Sequence, residues 1–172
     1  PVMYSIRRNF TNSKITLLTE SKFIKFLEKS KYFDSYLEDD RKGLFKTCII
    51  IIRILFHKYD LIVDLQNSNR SNFYNFFLRI LGKAKINGSR SNSHFRYNIP
   101  KQGTESPTKG LFEQLSLINV MEKKPNYDWL ITDIKIARNP NIILFIPGVS
   151  KSGIYKQWKP MMFAKLAKYL ED

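Results

Sequence analysis

The sequence predicts an α/β fold built around a parallel sheet, and three observations support that prediction. Short apolar runs rich in β-branched residues recur along the chain, as is typical of strands covered on both faces. Between them lie segments whose apolar residues recur at helical spacing. The hydrophobic content of 43% and aromatic content of 14% are ample for a packed core. Strands that alternate with helices in this way are joined by right-handed crossovers into a parallel sheet.

The first half of the chain alternates between helix and strand. The patterns predict, in order, a helix over 2–10, a strand over 15–19, a helix opening at 21, a short strand at 36–37, a helix over 44–57 and a strand over 59–65. The helix over 44–57 contains four consecutive isoleucines, which favour a strand by propensity. Its length and a continuous helical stripe through Leu44, Cys48, Ile51, Ile52 and Leu55 favour a helix. Cys48 is therefore predicted to be a small buried hydrophobic residue.

The second half of the chain changes character twice. A helix over 71–81 and a strand over 84–86 precede a segment over 88–109 that is rich in Gly, Ser, Asn and Pro and is predicted to be a long surface loop. A helix over 108–120, a strand over 142–146 and a helix over 161–170 follow. These elements predict an N-terminal domain over 1–122, a connector over 123–140 and the first strand–helix unit of a second domain over 141–172.

Charge and composition limit the function classes. The formal net charge is +14, and the 20 Lys and 9 Arg are mostly scattered singly, so an anionic membrane surface is a candidate partner. No zinc-finger spacing, RNP-type motif or arginine-rich arm predicts specific nucleic-acid binding. His57 and His94 stand apart from other potential ligands, so no metal site is expected. The longest apolar stretch, 44–56, contains Lys46 and Arg53 and is too short to span a bilayer.

Two groups of polar residues follow predicted strands. The first group, after YDLIVDL, comprises Gln66, Asn67, Arg70 and Ser71 at the carboxyl end of its strand, where open α/β sheets bind ligands. The second group, in PGVSKSGIYKQWKP, comprises Ser150, Ser152 and Lys156 before a helix, where hydroxyls, backbone N–H groups and an ammonium could hold a phosphate. The alternatives are that the first group caps the next helix and faces solvent, and that the second is an ordinary loop with solvated lysines.

Three pieces of sequence together resemble glycosyltransferase family 9, the heptosyltransferases of lipopolysaccharide core synthesis. Family members show a start like TPxxxxLRR followed by AKITLLT, then YDLxIDLQ and RS, and later PGAS with KRWPxExFAxLAxxL. The corresponding pieces here are PVMYSIRRNFTNSKITLLT, YDLIVDLQNSNRS and PGVSKSGIYKQWKPMMFAKLAKYL. Their order and spacing agree over most of the chain. In the family, the loop between the glycine and the lysine of the last piece is one residue shorter.

The resemblance implies a GT-B architecture of two Rossmann-like domains with the active site between them. The implied reaction is a metal-independent, inverting transfer of heptose from ADP-heptose to a lipid-linked saccharide of the lipopolysaccharide core, without a cofactor, at the cytoplasmic side of the inner membrane. Lys156, Ser150 and Ser152 would hold the donor phosphate, and Gln66, Asn67, Arg70 and Ser71 would lie on the acceptor side. The family's catalytic Asp and first strand would lie upstream of residue 1, so no catalytic residue is assigned within the chain.

Two expectations follow from that assignment. The 172 residues alone should be catalytically inactive and bind nucleotide-sugar weakly, because the base and most of the nucleotide-binding domain would lie outside them. Asp60 and Asp64 are poor substitutes for the base, since Asp60 lies at the wrong end of its strand. The alternative hypothesis is a non-catalytic, basic Rossmann-like module that binds an anionic membrane surface or nucleic acid.

Overall fold

The computed structural model describes residues 1–40, 43–99, 106–130, 143–149 and 151–171, with the backbone alone at 151, 152 and 171. Its described helices and strands are, in chain order, α1 (Val2–Asn9), β1 (Thr16–Thr19), α2 (Ser21–Glu28), β2 (Ser35–Glu38), α3 (Gly43–Phe56), β3 (Leu61–Val63), α4 (Asn69–Leu81), β4 (Lys85–Gly88), β5 (Phe95–Arg96), α5 (Pro107–Ser116) and α6 (Pro160–Glu171). Single 3₁₀ turns occupy Asp128–Leu130 and Lys151–Lys156. The predicted α/β class is confirmed.

Within the described residues, the strands form two small open sheets in which every pairing is parallel. In the first, β1 pairs with β2, with Thr16 opposite Ser35 and Thr19 opposite Glu38. In the second, β4 lies between β3 and β5. Helices join the successive strands from β1 to β4, whereas a short turn leads from β4 to β5. Short parallel strands connected mainly by helices are compatible with a Rossmann-like domain.

One hydrophobic cluster covers one face of both sheets. Its buried members come from α3, α4 and β4: Ile50, Ile51, Ile54, Tyr74, Leu78 and Ile86. Leu18 of β1, Leu37 of β2 and Ile62 of β3 pack against it. Helices α3 and α4 therefore form a single layer over the strands of both sheets.

A second hydrophobic cluster covers the opposite face. Its buried members are Val2 and Ile6 of α1, Leu115 of α5, and Val120. Ile15, just before β1, and Val63 of β3 pack against it. Because neighbouring residues of a strand point to opposite faces, Ile62 joins the first cluster and Val63 the second. The two sheets thus share both helix layers.

The isoleucine run forms helix α3, as predicted, but the buried side of this helix differs from the predicted stripe. Thr47, Ile50, Ile51 and Ile54 are its buried residues. Cys48 is exposed, so the prediction of a buried cysteine was wrong. Leu44 and Ile52 are also exposed, at 80% and 50%. A helix with apolar residues on almost every side carries no single stripe, and the contacts with α4 decide which side is buried.

Two further predictions are corrected by the structure. The segment over 88–109 is not a featureless loop, because it contains β5 and the buried Ser89 and Ser93. In the segment predicted as a strand over 142–146, Ile142 lies outside the described residues and 143–146 form no strand. A strand exists only when a neighbouring strand receives its hydrogen bonds, and none of the described residues pairs with this segment.

The chain divides into two compact units, 1–132 and 133–172. The predicted boundaries of 122 and 141 fall on either side of that division. The first unit holds both sheets and helices α1 to α5. In the second, Phe163 of α6 packs against Trp158 and Phe145, with ring centroids 5.6 and 5.9 Å apart. No helix within the described ranges is long and apolar enough to cross a membrane.

Candidate functional site

The loop that follows β3 is fixed by Asp64. This carboxylate is buried, with 7% of the residue exposed. Its Oδ1 atom accepts hydrogen bonds from the backbone N–H groups of Gln66 and Asn67, at 3.1 and 2.9 Å, and its Oδ2 atom accepts one from Asn75 Nδ2 at 3.0 Å. An aspartate that bonds the backbone two and three residues ahead closes a tight turn. Asp64 therefore shapes the loop and is already occupied as an acceptor.

Asn67 is the residue on which this loop turns. Its backbone φ is +51°, in the left-handed region that asparagine tolerates better than most residues. Its side-chain Nδ2 donates to Gln114 Oε1 at 2.7 Å, and its Oδ1 accepts from the backbone N–H of Ser89 at 2.7 Å. Its carbonyl accepts from Arg90 Nε at 2.6 Å. Asn67 thus ties the loop after β3 to the segment after β4 and to α5.

Gln114 of α5 is a centre of this network that the sequence did not indicate. The residue is fully buried, at 0% exposure. Its Nε2 group donates to the carbonyl of Asp64 at 2.9 Å and to Asn87 Oδ1 at 3.1 Å, while Asn87 Nδ2 donates to the Gln114 carbonyl at 2.8 Å. A glutamine beside Leu115 in an otherwise apolar helical stripe is the one signal that could have identified it.

Ser71 and Gln66 have contrasting environments. The Ser71 hydroxyl accepts from the backbone N–H of Ser68 at 2.9 Å, while Ser68 Oγ accepts from the N–H of Ser71 at 3.1 Å. This reciprocal arrangement is a capping box at the start of α4. Gln66 is exposed at the carboxyl end of β3, with its Oε1 atom 3.4 Å from Ser68 Oγ. Gln66 therefore presents an amide to solvent, whereas Ser71 is engaged in capping.

Arg70 lies in the first turn of α4 and binds residues from the other sheet. Its Nη2 atom donates to Asp39 Oδ1 at 3.1 Å and to Thr47 Oγ1 at 3.3 Å. Its guanidinium lies 5.3 Å from the centroid of the Tyr74 ring, and the Tyr74 hydroxyl donates to Asp39 Oδ2 at 2.8 Å. The buried Nε atom of Arg70 has no hydrogen-bond partner. Arg70 is thus held in place by Asp39, Thr47 and Tyr74.

The pKa directions in this cluster follow from burial and from Asp39. Burial opposes the charge of Arg70, but the hydrogen bond to Asp39, the negative charge of that carboxylate and the contribution of Tyr74 together outweigh it and raise the pKa of the guanidinium. Burial and the hydrogen bond to Asp39 raise the pKa of the Tyr74 hydroxyl. Arg70 therefore stays cationic and Tyr74 stays a neutral donor, so neither can act as a base near neutral pH.

Arg90 is a further residue that sequence reasoning missed. It is exposed, and its Nε contact with the Asn67 carbonyl holds it beside the loop after β3. Together with Gln66 it places hydrogen-bond donors at the carboxyl edge of β3 and β4. Donors of this kind can bind sugar hydroxyls or an anion. The signal in the sequence was a basic residue shortly after the strand over 84–86.

The second unit contains a cavity of about 450 Å³. It is lined by Phe145, Pro147, Gly148, Gln157, Trp158, Pro160 and Phe163. Trp158 packs on Phe163 of α6 and also forms part of the cavity wall. Lys156 is exposed, with its Nζ atom 5.3 Å from the centroid of the Tyr155 ring. Ser150 and the side chain of Ser152 lie outside the described residues.

The predicted site residues fall into two groups in the structure. The first group lies at the carboxyl end of β3 in the first unit and comprises Gln66, Asn67, Arg70 and Ser71. Lys156 lies in the second unit, next in sequence to a residue that lines its cavity. No cluster of three or more His, Cys, Asp or Glu residues suited to a metal occurs in the part of the chain that the structure describes. The chain matches no known family model, no curated protein and no solved structure.

Proposed function

We propose that the chain is part of a glycosyltransferase that moves a heptose from ADP-heptose to a lipid-linked saccharide of the lipopolysaccharide core. The observation that carries this proposal is the loop after β3. This loop lies within the motif YDLIVDLQNSNRS, at the carboxyl edge of a parallel sheet. Asp64 and Asn67 hold its backbone, and Gln66 faces solvent. A rigid loop with outward donors at that edge suits recognition of a sugar acceptor.

The donor side of the proposed site lies in the second unit. The Lys156 ammonium would neutralise charge on the departing diphosphate, and Ser150 and Ser152 would supply hydroxyl donors. The transfer would be inverting and metal-independent, with a carboxylate base upstream of residue 1 taking the proton of the acceptor hydroxyl. The working protein would be cytoplasmic and peripheral to the inner membrane. The 172 residues alone are expected to show no turnover.

The test is an NMR titration of the ¹⁵N-labelled chain with ADP and with ADP-heptose. Weak binding should shift the amide signals of Gly148 and Lys156, and Lys156→Ala should abolish these shifts. Lys168→Ala is the matched control, because it removes an exposed lysine from α6 away from the loop. Equal shifts in the wild-type chain and in Lys156→Ala would refute the phosphate role. Turnover of ADP-heptose by the 172 residues would refute the upstream base.

A second candidate function is binding to an anionic membrane surface, and α3 and α4 favour it. Large apolar side chains on both helices are exposed, including Phe45 and Phe56 at 79% each, and Phe76 at 46%. Exposed cations lie on the same helices or just beyond their ends: Lys46, Arg53, Lys58, Arg79 and Lys83. Aromatic side chains flanked by lysine and arginine are typical of surfaces that lie in a lipid interface.

Vesicle sedimentation tests this candidate separately from the first. The chain should bind vesicles rich in phosphatidylglycerol and not vesicles of phosphatidylcholine, and binding should weaken with salt. Phe45→Asp with Phe56→Asp should abolish binding while leaving the response to ADP intact. Ile99→Asp is the control, since Ile99 is 63% exposed and lies outside both helices. Binding to duplex DNA with a steep salt dependence, and none to vesicles, would favour nucleic acid instead.

A further inference from the structure

His94 directly precedes β5 and bonds to β4 through both its backbone and its ring. Its N–H group donates to the carbonyl of Ile86 at 2.8 Å, and its ring atom Nδ1 accepts from the N–H of Ile86 at 3.1 Å. In a parallel ladder these two groups of Ile86 bond to residues two apart on the next strand, so a longer β5 would offer the carbonyl of Asn92. The chain turns there instead, with the N–H of Ser93 bonded to the carbonyl of Arg90 at 3.1 Å. The imidazole thus replaces a strand carbonyl.

The contact between this ring and Ile86 fixes the protonation state of His94. A backbone N–H can only donate, so Nδ1 is an unprotonated acceptor and the ring proton lies on Nε2. Ile86 is fully buried, at 0% exposure. A protonated ring would direct an N–H at the N–H of Ile86, and a buried donor that loses its acceptor destabilises the structure that contains it. His94 can therefore keep this bond only while its ring is neutral.

The charges around His94 also favour the neutral ring. Partial burial, and then the positive charges of Arg79 on α4 and Lys85 on β4, lower the pKa of His94 below its ordinary value of 6.5. Among the described residues, no carboxylate bonds to the ring to stabilise its charge. Other charged groups on the neighbouring elements bond elsewhere: Arg90 to the Asn67 carbonyl, Arg96 to the Ser89 carbonyl, Asp64 to Asn75, and Glu113 to the Tyr97 hydroxyl.

We propose that His94 makes the attachment of β5 to β4 depend on pH, because protonation of its ring removes the bond to Ile86 and releases β5 in mildly acidic solution. β5 is two residues long, and the N–H of Tyr97 just beyond it donates to the carbonyl of Gly88 at 2.9 Å. Phe95 of β5 is 38% exposed, so little apolar burial secures the strand. The attachment should be stable above pH 6.5 and be lost as the pH falls through the lowered pKa of His94.

Release of β5 would remove two outer contacts of the network around Asn67. The carbonyl of Phe95 accepts from Asn87 Nδ2 at 3.4 Å, and Arg96 Nε donates to the carbonyl of Ser89 at 3.4 Å. The N–H of Ser89 in turn donates to Asn67 Oδ1 at 2.7 Å. The loop after β3 would therefore be held less firmly in acid than at neutral pH. This inference depends on the contacts between β4 and β5, and it does not require the proposed sugar transfer.

Amide hydrogen exchange measured by NMR at about pH 7 and about pH 5, the range in which histidine titrates, tests the proposal. Each rate is divided into the intrinsic exchange rate at the same pH to give a protection factor. The N–H groups of Ile86 and Tyr97 lie between β4 and β5, and their protection factors should fall about tenfold at the lower pH. The N–H groups of Lys85 and Asp64 lie between β3 and β4 and should keep their protection.

Two asparagine variants separate the effects of the two histidines of the chain. In His94→Asn, the side-chain Oδ1 atom can replace Nδ1 as an acceptor but does not titrate, so the protection of Ile86 should be the same at both pH values. His57→Asn is the matched control. Nδ1 of His57 lies 2.7 Å from the Arg53 carbonyl, and a protonated ring can still donate to that carbonyl. The loss of protection in acid should therefore persist in His57→Asn.

Four results would overturn the proposal. Three come from hydrogen exchange: equal protection of Ile86 at both pH values, equal loss in the wild-type chain and in His94→Asn, or an equal loss at Lys85 and Asp64. The last would show that acid unfolds the sheet as a whole. The fourth needs no variant and applies even if His94→Asn does not fold. The ¹⁵N chemical shifts of the wild-type ring at neutral pH should place the proton of His94 on Nε2, and a proton on Nδ1 would contradict the bond from Ile86.

Discussion

Arg70 and Asp39 form an ion pair that joins the two sheets, with Arg70 Nη2 lying 3.1 Å from Asp39 Oδ1. Asp39 directly follows β2 of the first sheet, and Arg70 lies in the helix that follows β3 of the second. The side chain of Asp39 is 11% exposed and that of Arg70 is 32% exposed. The pair is therefore shielded from solvent well enough for its loss to affect stability.

Removal of the Arg70 guanidinium should destabilise the first unit. Arg70→Met removes a hydrogen-bonded cation from the buried Asp39 carboxylate, and we expect the free energy of unfolding to fall by about 2 kcal/mol in urea denaturation. Lys22→Met is the control, because Lys22 pairs with Glu20 at 2.6 Å but is 64% exposed. Its loss should cost less than about 0.5 kcal/mol. Equal effects of the two substitutions would contradict a structural role for the Arg70 pair.

Gln114 should be the most sensitive polar residue of α5. Gln114→Leu introduces an apolar side chain of similar length that also favours a helix. It removes the hydrogen bonds that the Gln114 side chain makes with the Asp64 carbonyl and the Asn67 amide. We expect a loss of about 2–3 kcal/mol, measured by urea denaturation, since buried groups would lose their hydrogen bonds. Gln66→Leu, at an exposed position, should change stability by less than about 0.5 kcal/mol. The prediction fails if both variants unfold at the same urea concentration.

Gly88 and Gly110 should respond to alanine in opposite directions. A Cβ atom at Gly88 would lie 2.7 Å from Ser93 Oγ and 3.3 Å from both Asp64 Cβ and Asn67 Oδ1. Gly88→Ala should therefore lower the free energy of unfolding by about 1–3 kcal/mol. Gly110 lies within α5, and its Cβ would make ordinary 3.7 Å contacts with Tyr97. Gly110→Ala should raise stability by about 0.5–1 kcal/mol. Thermal unfolding of both variants shows whether Gly88→Ala lowers and Gly110→Ala raises the stability of the chain.

Asp34 should make part of the stability depend on pH. A hydrogen bond from the backbone N–H of Ile15, and a second from Arg7, hold the pKa of the Asp34 carboxyl below its ordinary value of 3.8. A carboxyl with a lowered folded pKa contributes stability above its unfolded pKa, and this is lost as the pH falls through the folded value. Asp34→Asn should therefore lower the urea midpoint at neutral pH, and the difference from wild type should shrink only below pH 3.8.

The matched control for that titration is Asp60→Asn, because Asp60 is an exposed carboxyl of the same unit. Its midpoint should stay close to that of the wild-type chain at each pH. A gap between Asp34→Asn and wild type that is unchanged near pH 2, or that closes already at about pH 6, would contradict the assigned pKa direction.

Periodicity predicted the helices well because each depends mainly on its own residues. The helix predicted over 44–57 is found as α3 at Gly43–Phe56, against the propensity of its isoleucines. Its buried side was not predictable, because contacts with α4 rather than a stripe in the sequence decide that Cys48 is exposed. The strand predicted over 142–146 failed for a related reason, since a strand requires a partner that local sequence cannot supply.

The candidate site was predictable in position but not in its internal bonds. The motif after β3 located Gln66, Asn67, Arg70 and Ser71 at the carboxyl edge of the sheet. Their separate roles depend on residues far away in sequence: Arg70 on Asp39, and Asn67 on Gln114 and Ser89. Such pairings arise only after the helices and strands have packed, so a linear pattern cannot assign them. The phosphate role of Lys156 and its two serines stays a prediction.

The exposed thiol of Cys48 allows α3 to be labelled chemically. Because this is the chain's one cysteine, a maleimide-linked nitroxide or fluorophore attaches at a single position without mutagenesis. The label would stand on the same helix as Phe45 and Phe56. Its spectrum would therefore change if the part of α3 that carries Phe45 and Phe56 binds lipid. The same thiol would link two chains by a disulfide in air, so purification calls for a reductant.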